Sequence, residues 1–74
     1  MPDKKYVYIV ADVYDEMIFG VYSTEAGAWA RMRELVDERR DEGKLSAHEG
    51  DHAIWASVDG HEFGYWFHRY ELHE

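Results

Sequence analysis

Few residues in this chain are of a type that does chemistry, and their spacing decides what each could be. His48 and His52 stand four apart with Glu49 and Asp51 between them, a nitrogen and oxygen donor set of the kind that holds zinc. That spacing converges on a helix, but Gly50 in the middle opposes one, so the stretch reads as a solvated loop. Ser57, Asp59 and His61 resemble a hydrolytic triad in print, yet they flank a tight turn, and Ser57 and His61 are expected on opposite faces of a hairpin. His68 and His73 are an odd number of residues apart on a strand and diverge. With 0 cysteines there is no thiolate, no disulfide and no Cys-based zinc site. The reading therefore assigns no catalytic residue, no metal and no cofactor, and expects a protein that binds rather than an enzyme.

The carboxylates are more numerous. Glu34, Asp37, Glu38, Asp41 and Glu42 gather near the end of a helical stretch, where the macrodipole disfavours negative charge. Arg31, Arg33, Arg39 and Arg40 are interleaved with them, as on a solvated face with i,i+4 pairs such as Arg33 with Asp37. The alternative is an acidic track that imitates nucleic-acid phosphates and occupies the basic groove of another protein, as a virus-type inhibitor or acidic decoy would. The formal net charge of -8 disfavours direct nucleic-acid binding and anionic membrane surfaces. No apolar run reaches the roughly 20 residues of a membrane span, and "MPDKKYVYIV" lacks a signal-peptide core, so a cytoplasmic protein is expected.

A hydrophobic share of 46% and an aromatic share of 16% are far above those of a disordered chain, and 74 residues make one domain, 1–74. Residues 5–14 and 17–23 are β-branched and aromatic and read as a hairpin about "YDE". "STEAGAWARMRELVDERRDEG" turns to the helical period, with Ser23 or Thr24 as N-cap and Gly43 as the stop. Ala28, Trp29, Met32, Leu35 and Val36 form its buried stripe. "KLSAHEGD" reads as a polar loop. A second hairpin, "HAIWASV" and "EFGYWFHRYEL", closes on Asp59-Gly60. The expected fold is α+β, ββαββ, with one helix on a mainly antiparallel four-stranded sheet.

The Asp59-Gly60 turn sets the second hairpin's register. Val58, Ala56, Ile54, Phe63, Tyr65 and Phe67 fall on the helix side, and Trp55, Trp66, His68 and Tyr70 on the other, with the indoles opposite Gly64 and Ala53. In the first strand the aliphatic set Val7, Ile9, Ala11 and Val13 is expected to meet the helix. Tyr6, Tyr8, Val10, Asp12 and Tyr14, with Phe19 and Val21 from the second strand, would then join the far face. A helix of about 19 residues, roughly 28 Å, covers only one face of such a sheet. The second face, carrying Tyr6, Tyr8, Tyr14, Phe19, Trp55, Trp66, His68 and Tyr70, is expected to be a partner-binding surface, buried in a homodimer. A flat aromatic ligand or nucleobase stacked on it is a further alternative.

"YVYIVADVYDE", "IFGVYSTEAGAWARMREL" and the closing "FHRYEL" resemble a family of small proteins from bacteria, archaea and their viruses known only as a domain of unknown function. The resemblance implies a ββαβ-like topology, with Gly20 and Ser23 as its strand and cap positions, and implies no activity. "HEGDHAIWASVDG" departs from that pattern.

Overall fold

The computed structural model describes residues 4–72. Five strands and one helix follow in the order β1 (Tyr6–Asp12), β2 (Ile18–Tyr22), α1 (Glu25–Asp37), β3 (Leu45–Glu49), β4 (Ala53–Val58) and β5 (His61–Glu71), with a single 3-10 turn at Arg40–Glu42. The strands form one sheet in the order β2-β1-β5-β4-β3, antiparallel throughout. The α+β class stands, but the expected four-stranded ββαββ sheet does not, because the stretch read as a loop supplies a fifth strand.

That strand, β3, has one large apolar residue, Leu45, so side-chain pattern alone gives it no strand signature. Its backbone does the work: it pairs with β4 from Leu45↔Val58 to Glu49↔Ile54. The Asp59 turn pins its start. Lys44 N–H donates to Asp59 Oδ1 at 2.9 Å, and Asp59 N–H donates to Lys44 O at 3.1 Å. Asp59 (φ 48) and Gly60 (φ 84) are both left-handed, as a two-residue hairpin turn demands, and the β4–β5 register runs from Val58↔His61 to Ala53↔Trp66 as its position requires.

Helix α1 is 13 residues long, shorter than the expected 19. Thr24 caps it, its hydroxyl accepting from Gly27 N–H at 3.0 Å. Ala28, Met32, Leu35 and Val36 are buried, and Trp29 packs half-buried beside Phe67. These side chains close over Val10, Ile54, Ala56, Val58, Phe63, Tyr65 and Phe67 to make the core.

The face assignment of β1 is reversed from expectation. Val10 is fully buried and pairs with Phe67, while Ile9 pairs with His68 and Ala11 with Trp66. Tyr6, Tyr8 and Val10 therefore look toward the helix, and Val7, Ile9 and Ala11 toward the uncovered side. The physical reason is the short helix. About 20 Å of α1 leaves sheet rim exposed, and long rings reach across it: Tyr8 stands edge-on to Phe67 (centroids 5.8 Å) and Phe19 edge-on to Tyr65 (5.4 Å). A break in register between Val10 and Ala11 lets Phe19 turn to the helix side while Ile18, paired with Ala11, stays on the open one.

Candidate functional site: the uncovered sheet face

Among the described residues none forms a layer over the face opposite α1, and alternation along the strands divides it into two unlike halves. Over β2, β1 and the C-terminal part of β5 it is apolar. Val7 and Ile9 come from β1, Ile18 and Val21 from β2, and Trp66, His68 and Tyr70 from β5. Ile18 is 63% exposed, Val21 59% and Tyr70 53%, values usual for charged residues, not for these. Over β4 and β3 the face is polar and aromatic. Ser46, Ser57 and Glu62 form one row across three strands, and His48, Trp55 and Gly64 the next.

Trp55 lies across Gly64. A Cβ built at Gly64 would fall 3.1 Å from Trp55 Cε3 and 3.3 Å from Val13 Cγ2, so the missing side chain is what seats the indole on the sheet. Trp66 stands opposite Ala53, which is buried, and meets the His68 ring at 4.7 Å, edge to face. His52 comes within 6.4 Å of His68 from the end of β4.

Of the residues expected on this face, Trp55, Trp66, His68 and Tyr70 are there, and Tyr14 stands exposed at its margin, lining a cleft with Trp55. Tyr6, Tyr8 and Phe19 are not: Tyr6 lies under the Arg69 guanidinium on the helix side, and Tyr8 and Phe19 pack on the core. Val7, Ile9 and Ile18 take their place beside Val21, which the sequence also puts there. The signal that could have found them was the exact partner of β1; pairing with β5 sets its faces, and Ala11↔Trp66 puts the aliphatic set beside the indole.

The acidic cluster is threaded with arginine. Glu34 pairs with Arg31, Asp37 with Arg40 (2.7 Å) and Glu42 with Arg39 (3.1 Å), while Glu38 and Asp41 are exposed. Arg33 does not take Asp37 but reaches from α1 to Glu49 on β3, with two contacts of 2.8 and 3.0 Å. Hydrogen bonding to that guanidinium holds the Glu49 carboxyl below the ordinary carboxylate range. Burial pushes the Tyr65 hydroxyl up, against the opposing pull of Arg39. His48 lies beside Trp55 on β3, whereas His52 sits against Phe67 and His68, so the two are not turned to one point. Among the described residues no three His, Asp or Glu side chains are grouped to hold a metal ion. Asp59 is engaged with Lys44 N–H, Ser57 is half-buried and His61 exposed, so these three form no relay. No described helix is long and apolar enough to cross a membrane.

Comparison with protein-family models, with curated proteins and with solved structures finds no match to this chain.

Proposed function

We propose that this protein is a small interaction module, without catalysis, that forms a homodimer through the apolar half of its uncovered sheet face. One observation carries the reading: Ile18, Val21 and Tyr70 are more than half exposed on a continuous surface that bears no carboxylate. The strand carboxylates are Asp12, Glu49, Glu62 and Glu71, and only Glu62 faces this side, at its polar end. A chain of net charge -8 can thus approach its own copy here with the strand acids, Glu62 apart, directed away, and at physiological salt a screening length of about 8 Å mutes the remainder.

Architecture supports the same occupant. Val7, Ile9, Ile18, Val21, Trp66, His68 and Tyr70 supply side chains from three strands, and specific interfaces begin at about 1,200 Å² of total buried surface. Past Phe67, whose N–H still donates to His52 O at 3.0 Å, β5 runs on to Glu71 with β1 as its ladder partner, and Tyr6 and Val7 of β1 have no β2 partner among the described residues. This projecting two-stranded ribbon carries Val7 and Tyr70 on its open side. Such ribbons are marginal until something packs on them, and a second sheet would do so.

Sedimentation equilibrium tests the proposal. The wild-type chain is expected at twice the mass of 8.8 kDa at tens of micromolar, and Val21→Asp, at a site already exposed in the single chain, is expected to run as a folded monomer. A wild-type monomer throughout that range, or a dimer indifferent to Val21→Asp and Tyr70→Asp, would refute it.

A further inference from the structure

On the polar half, Trp55 and Tyr14 line a cleft of about 470 Å³ together with Ser46, His48, Ser57 and Glu62, a volume within the range of small-ligand sites. We propose that this cleft binds an organic cation, an alkylammonium group carried either by a free small molecule or by a lysine side chain.

The rest of the molecule shows how this chain treats aromatic rings that reach its surface. On the helix side three are capped by a guanidinium, while the half-buried Tyr8, Phe19 and Tyr22 are not: Arg39 lies 4.1 Å over Phe63, Arg69 4.5 Å over Tyr6, and Arg33 5.3 Å over Trp29. Trp55 and Tyr14 have no such cap among the described residues, and no lysine or arginine lines the cleft. The Trp55 indole rests beside Gly64, and its side chain is still 37% exposed. Neither ring stacks on another aromatic ring among the described residues, which leaves the π faces to a ligand.

The polar lining selects the charge. Glu62 is exposed and has no ion-pair partner among the described residues, so a cation on the indole would meet a carboxylate as well as two ring quadrupoles. An anionic ligand would find no positive side chain there and would face a chain of net charge -8. A neutral apolar ring would leave Glu62 desolvated and unpaired. Ser46 and Ser57 supply hydroxyl acceptors at the rim. The site lies at the opposite end of the sheet from Ile18 and Val21 and does not rest on the dimer.

The test follows the Trp55 indole N–H by NMR at pH 8, where an ordinary histidine is neutral, with the resonance identified by its loss in Trp55→Phe. Choline and its uncharged isostere 3,3-dimethylbutanol are titrated at constant ionic strength, beside a peptide bearing trimethyl-lysine. The expected result is a saturable shift of that resonance with choline or the peptide, the tighter of the two naming the source, and none with the isostere. Glu62→Gln, an exposed change that leaves the core alone, is expected to weaken binding roughly tenfold. No saturable shift with either cation, an equal response to the isostere, or affinity unchanged in Glu62→Gln would overturn the proposal.

Discussion

Gly64→Ala tests the packing on which both halves of the open face depend. The added methyl would stand 3.0 Å from Ile54 O, 3.1 Å from Trp55 Cε3 and 3.3 Å from Val13 Cγ2. The first neighbour is ladder backbone and cannot withdraw; Trp55 can do so only by lifting the indole off the sheet, and Val13 only by turning its side chain. In an unconstrained strand alanine would gain about 0.4–1 kcal/mol over glycine through the unfolded chain. Overpacking at three points costs about 1–3 kcal/mol, so the net expectation is a loss of about 1 kcal/mol. Urea denaturation followed by circular dichroism measures it. A double-mutant cycle with Trp55→Ala isolates the indole's share: with the indole gone one of the three clashes disappears, and the cost of Gly64→Ala should shrink. A Gly64→Ala protein as stable as wild type, or a cost that is the same with and without Trp55, would show that the indole does not rest where the argument needs it.

Gly43→Ala would drive a methyl into the Asp59 carboxylate and break its bond to Lys44 N–H, so a loss of about 1–3 kcal/mol is expected, with faster amide exchange confined to β3. The Arg33–Glu49 pair gives a pH signature. Because the folded protein holds Glu49 below its ordinary range, its stabilisation is present at neutral pH and disappears as pH falls through the folded value. Melting temperatures of wild type and Glu49→Gln should therefore differ slightly at pH 7, the pair being exposed, and converge on acidification. A difference that grows in acid would have the wrong sign.

What could be read from the sequence follows from where local signals were strong. Asp59-Gly60 set the β4–β5 register residue by residue, because a two-residue turn leaves no freedom in the pairing that follows it. Trp55 opposite Gly64 and Trp66 opposite Ala53 came from the same turn. The N-cap at Thr24 and the stripe Ala28, Met32, Leu35, Val36 were equally local. β1 failed for the complementary reason. Both of its faces are apolar, Tyr6, Tyr8 and Val10 against Val7, Ile9 and Ala11, so alternation carries no preference, and only the long-range pairing with β5 chooses. β3 failed because an edge strand with one apolar anchor owes its existence to backbone bonds, which leave little trace in side-chain pattern. Central to the site, one inference needed no pairing at all: a single helix cannot cover two faces of a sheet, and no described element lies over the second face.

The two halves of that face cannot exchange roles. A sheet packed over β3 and β4 would bury Glu62 with no lysine or arginine beside it and would trap the Ser46 and Ser57 hydroxyls away from water, a penalty of several kcal/mol that no aliphatic contact there would offset. A cation placed over Ile18 and Val21 would find neither a carboxylate nor an open ring face. Segregation of this kind predicts independence. Choline at saturation should leave the sedimentation mass unchanged, and Val21→Asp should leave choline affinity within about twofold, since the new charge lies across the sheet and is screened. Coupling in either direction would mean that the dimer covers the cleft, and the contact would then have to be redrawn over Trp55 with Glu62 paired to some group of the second copy.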